Sequence, residues 1–139
     1  MNNRGFTLVE VLASFVIITI VITSIMAVFM QSNKIAAHNN EKLVVVNLAD
    51  AYLERLKVEP SIIDFNSSTP SEVFYSPQNC TALCEFLNIS INDKQYSITI
   101  HAKQSSHEID LNLIKVLVKV ESTSSNVSSK VEGYLPYEE

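Results

Sequence analysis

"FTLVEVLASFVIITIVITSIMAVFM", residues 6–30, is a run of 25 residues whose one charge is Glu10. As an α-helix rising about 1.5 Å per residue, it is long enough to cross a hydrocarbon layer of roughly 30 Å. Glu10 is the anomaly, because a carboxylate held in lipid is costly, most of all near the bilayer centre. Ahead of the run, residues 1–5 carry Arg4 and no acid. That bias predicts a cytoplasmic N-terminus, with residues 31–139 on the far side of the membrane.

A cleaved secretory signal also begins with a basic residue and an apolar stretch. This run, however, exceeds the roughly 7–15 residues of such a stretch, no small-x-small site closes it, and Glu10 stands where a signal would carry leucine. An ordinary uncleaved anchor accounts for the length and leaves Glu10 as a pure penalty. The segment "RGFTLVEVLASF", residues 4–15, resembles the N-terminus of type IV prepilins and of type II secretion pseudopilins: a basic leader, glycine, phenylalanine, then an apolar helix with glutamate at its fifth mature position. The resemblance implies that a membrane peptidase cuts between Gly5 and Phe6, that the new N-terminus of Phe6 is methylated, and that Glu10 serves subunit assembly. Physically, the freed α-amine of one subunit and the Glu10 carboxylate of its neighbour are each costly alone in a low dielectric and compatible as a pair.

The chain has 139 residues, 47% of them hydrophobic and 18% charged, and a formal net charge of -5. Beyond Gln31 stand nine Lys/Arg against fourteen Asp/Glu. This excess of acid argues against direct nucleic-acid contact, and no run of basic residues marks a local exception.

No proline or glycine interrupts residues 6–59, so the apolar helix is expected to continue past the membrane. Past Gln31 the apolar positions Val45, Leu48, Ala49, Tyr52, Leu53 and Leu56 fall on one stripe, with Asn47, Asp50, Glu54, Arg55 and Lys57 opposite. Pro60 stops the helix near Glu59. Residues 60–80 hold three of the four prolines and read as an irregular connection with room for a short strand or turn.

The period then changes to two. "FLNISI" and "QYSITIHA" flank Asn92, Asp93 and Lys94 as a hairpin, with Tyr96, Ile98 and Ile100 on one face. "LNLIKVLVKVE" turns Ile114, Val116, Val118 and Val120 one way, "STSSN" is a turn, and "VSSKVEGYLPY" pairs back. The expected fold is α+β and type IV pilin-like: a long N-terminal helix, half transmembrane and half amphipathic, packed on a small antiparallel sheet of three or four strands. Its parts are a leader (1–5), a membrane or filament-core helix (6–30), the amphipathic continuation (31–59) and a β-rich head (60–139).

Cys80 and Cys84 would lie where disulfides persist. A bridge needs a non-helical turn because i, i+4 geometry on a helix suits it poorly, and free thiols are the other reading. His38, His101 and His107 share no ligand spacing and read as solvated, on the helix, on or near a strand, and in a loop. No metal, cofactor or catalytic constellation is expected: nothing resembles a nucleophile with its base or a phosphate-cradling loop, and two glycines could hardly build one. The Asn-x-Ser/Thr sequons at Asn66, Asn79, Asn88 and Asn126 would mark glycans in a eukaryotic secreted chain and reflect mere Asn/Ser richness in a bacterium.

"LVVVNLADAYLERLKVEP", residues 43–60, resembles the corresponding stretch of I-type minor pseudopilins and V-type minor pilins. That likeness implies a minor subunit that primes or organises a filament for secretion, adhesion or DNA uptake. Its partners would be sibling pilins, the prepilin peptidase, a membrane assembly platform and, before assembly, the membrane itself. The alternative is a pilus-tip module that binds DNA or a surface receptor through the loops near residues 60–84 and 102–110.

Overall fold

The structure is a computed structural model that describes residues 5–63, 71–80 and 84–136; the side chains of Ser61 and Cys84 lie outside the description. In chain order the elements are α1 (Leu8–Val58), a 3-10 turn (Pro60–Ile62), β1 (Ser71–Tyr75), α2 (Cys84–Leu87), β2 (Asn88–Ile91), β3 (Lys94–Gln104), α3 (Ser106–Asp110), β4 (Leu113–Ser122) and β5 (Ser128–Pro136). Contacts divide the chain into residues 1–39 and 40–139, and α1 supplies both units.

In the first unit α1 is exposed throughout, with Leu8, Phe15, Ile20, Met26 and Phe29 among its bare apolar side chains. Its hydroxyls fold back onto helix carbonyls: Thr19 onto Val16 at 2.8 Å, Thr23 onto Thr19 at 2.9 Å, and Ser24 onto Ile20 at 2.8 Å. Each polar group is thereby satisfied inside its own helix, as an apolar solvent requires.

In the second unit the five strands form one antiparallel sheet in the order β1-β3-β4-β5, with β2 pairing β3 beyond β1. The expected count of three or four strands is corrected to five. β1 lies inside the proline-rich connection, where the sequence left room for a short strand or turn. "FL" of "FLNISI" also changes assignment, because Phe86 and Leu87 close the short helix α2 and the strand starts at Asn88. His107 sits in α3 rather than in a loop.

The β2–β3 turn is the two-residue Asn92-Asp93, both at positive φ (51° and 61°), the backbone form that matches strand twist in a tight hairpin. Asn and Asp tolerate that region better than other side-chain-bearing residues.

The stripe on α1 packs as expected: Val45, Ala49, Tyr52, Leu53 and Leu56 are buried with Ile98, Ile100, Val116, Val118 and Val120 of the sheet, and Leu48 is half-buried. The closest approach is at Gly133, where a Cβ would stand 2.8 Å from Leu53 Cδ2. Gly133 has ordinary negative φ, so its role is steric. Gly133→Val should therefore destabilise the head by about 1–3 kcal/mol through overpacking, read as a lower urea midpoint, whereas Ser129→Val on the same strand should not. Tyr52 also holds α2: its hydroxyl donates to the Phe86 carbonyl, the two rings meet edge-on at 4.7 Å, and the Arg55 guanidinium lies 4.3 Å over Phe86.

One buried position on the stripe is a carboxylate. Glu41, 8% exposed, stands one turn before Val45 and accepts hydrogen bonds from Ser122 and Ser125, each at 2.6 Å, and from the Lys94 ammonium at 2.9 Å. Those donors belong to the β4–β5 turn region and the β2–β3 turn, so one side chain ties two hairpin ends to the helix. Hydrogen bonds from the two serines, then from Lys94, outweigh burial and lower the Glu41 pKa to about 2.

Candidate functional site

Thr7 immediately precedes α1, and its hydroxyl oxygen accepts the Glu10 N–H at 3.3 Å. Glu10 Oε2 in turn accepts the Thr7 backbone N–H at 3.2 Å and the Thr7 hydroxyl at 3.1 Å. This is a reciprocal capping box, T-x-x-E, which closes two of the donors left over at a helix start. Its pattern is legible in "TLVE", residues 7–10, yet the reading of Glu10 as a membrane anomaly passed over it. A carboxylate near the helix N-terminus also meets the positive end of the helix dipole. Two hydrogen bonds from Thr7 thus hold the Glu10 carboxylate in the first turn of the helix, and no cation pairs with it among the described residues.

Gly5 and Phe6 lie outside the helix, and Phe6 is 85% exposed. Uncovered backbone outside a helix is open to a protease. Residues 1–4 of the expected leader fall outside the described residues. Among the described residues α1 is the one helix long and apolar enough to cross a membrane by length and composition, with a mean hydropathy of 2.7 over its most apolar window. An apolar surface of this extent does not stay in water; it calls for lipid or for neighbouring helices.

Cys80 is disulfide-bonded and follows a tight turn closed by the Ser76–Asn79 bridge, so a non-helical geometry is present at its end of the pair. Cys84 begins α2. His101 pairs with Glu72 at 2.5 Å on the sheet surface rather than standing free in solvent. The described residues bring together no group of three or more His, Cys, Asp or Glu side chains that could hold a metal.

A family model described as the prokaryotic N-terminal methylation motif matches residues 1–28, which takes in Gly5, Phe6, Thr7 and Glu10. No curated protein and no solved structure compared with the chain gives a match. One long apolar helix leading into a head of antiparallel strands is a type IV pilin-like arrangement, and the methylation motif at its start supports a likeness to the type IV pilin and pseudopilin family.

Proposed function

We propose that the chain is a minor pilin or pseudopilin, a structural subunit that primes or organises a type IV pilus-like filament. The observation that carries this reading is Glu10 fixed by Thr7 in the first helical turn, four residues from the scissile Gly5–Phe6 bond. Cleavage there creates an α-amine at Phe6, and its methylation by the same class of peptidase keeps the positive charge. In the filament each Phe6 ammonium pairs with the Glu10 carboxylate of a neighbour, so two charges that lipid tolerates poorly become one register-setting contact. The apolar faces of residues 6–30 then bundle as the filament core, and the head stays outside the cytoplasm, where a Cys80–Cys84 bridge closes the short loop after the Ser76–Asn79 turn.

Sibling pilins and a membrane platform are the partners this mechanism requires. Shearing cells tests it. The chain should be released with the filament, in amounts well below those of the most abundant pilin, and should remain in the membrane when the prepilin peptidase is deleted. Recovery in the membrane alone in peptidase-positive cells that make filaments would contradict the proposal.

A further inference from the structure

The register of the sheet puts lysines directly opposite one another twice on its outer face: Lys103 faces Lys115, and Lys119 faces Lys130. Like charges across a strand pair destabilise a sheet, and nothing in the packing of the core asks for either pair. The two pairs lie roughly 13–14 Å apart along β4, four residues at about 3.4 Å each. Around them the face is not apolar core but exposed aromatic surface, with Phe74 on β1 53% exposed and Tyr134 on β5 51% exposed.

Charge is therefore sorted. This face holds four lysines against Glu72, Glu121 and Glu132, whereas the rest of the chain beyond Gln31 holds five Lys/Arg against eleven Asp/Glu. Each of the three glutamates is engaged, with His101, Lys119 and Lys115 respectively. These are partly exposed pairs of the weak kind that a competing anion can displace. Lys103 and Lys130 make no ion pair among the described residues.

We infer that the outer face of the sheet binds single-stranded nucleic acid, its phosphates between the paired lysines and its bases on Phe74 and Tyr134. In each pair one lysine, Lys115 or Lys119, is held by a glutamate; the phosphodiester chain supplies an anion for its opposite number, Lys103 or Lys130, and unpaired bases supply flat rings for exposed aromatics. A duplex hides those base faces, so it satisfies the lysines alone. The acidic remainder of the head repels the polymer, which confines it to this face and makes binding strongly dependent on salt. This inference goes beyond the filament role and its test needs no filament, so its failure leaves the Glu10 mechanism standing.

The test is fluorescence anisotropy of a labelled oligothymidylate with the full chain in nonionic detergent, over a salt series. With four phosphates neutralised at about 0.7 each, the log–log salt slope should lie near -3. Lys103→Gln with Lys130→Gln, both at exposed positions, should weaken binding at least tenfold and cut the slope to roughly half. Phe74→Ala with Tyr134→Ala should weaken it by about tenfold or more while leaving the slope in place. Lys42→Gln with Lys57→Gln makes the same charge change off the sheet and should leave affinity within about twofold. The inference is overturned by no binding at low salt, by equal losses in the two lysine pairs of variants, or by equal affinity for duplex DNA or polyglutamate.

Discussion

Glu10→Gln is expected to insert into the membrane, to be cleaved after Gly5, and then to fail to join the filament, with incorporation in the sheared fraction down at least tenfold. The substitution separates two jobs of one side chain. Glutamine serves the last position of a capping box as well as glutamate, so the bonds with Thr7 and the start of α1 survive. What disappears is the charge. Under the proposed mechanism the Phe6 ammonium of a neighbour is then left in a low dielectric without its counter-ion, and breaking one half of a buried pair is worse than never having built it. Glu10→Ala should lose assembly to the same degree and fray the first turn as well. Thr7→Ala, which removes only the hydroxyl, costs the helix about 1 kcal/mol and should reduce incorporation less. Normal assembly of Glu10→Gln would show that Glu10 is a cap and nothing more.

Glu41 carries the second large effect. Its pKa is lowered to about 2 by the hydrogen bonds from Ser122, Ser125 and Lys94, against about 4.5 for an unperturbed carboxylate. A depressed carboxylate pKa contributes stability that is complete above the unfolded-state value and is lost as pH falls through the folded-state value. The head should therefore weaken steeply between about pH 4.5 and about pH 2. Glu41→Gln keeps some of the hydrogen bonding, starts from a lower urea midpoint at neutral pH, and should flatten that stretch of the profile. Glu41→Ala leaves two serine hydroxyls and the Lys94 ammonium without their acceptor, and should release the β2–β3 and β4–β5 ends to faster amide exchange before the Ile98 and Val118 core opens. A profile for Glu41→Gln that overlays the parent chain would remove Glu41 from this role.

The parts legible in the sequence are those that a period along the chain determines. The apolar run, the stripe from Val45 to Leu56, Pro60 as the stop, and the alternation of Ile114, Val116, Val118 and Val120 each depend on near neighbours, and each stands where the pattern put it. β1 was legible only as room for a short strand or turn, because five residues gain strand structure only by pairing with residues 100–104 of β3. Glu41 was unreadable for a related reason: its three donors lie more than fifty positions away. The lysine face is the clearest instance. Lys103, Lys115 and Lys130 come from three strands and are joined only by register, so a search for basic runs passes over a patch that the pleat assembles. The capping box was within reach of a local reading, but the expectation of lipid around Glu10 obscured it.

The most direct measurement is the intact mass and N-terminal sequence of the chain recovered from its own cells. The mechanism requires a mature polypeptide that begins at Phe6, carries one extra methyl group on its amine, and has lost residues 1–5. A recovered chain that still holds Arg4 and Gly5 would have no free amine beside Glu10, and the pairing on which assembly rests could not form.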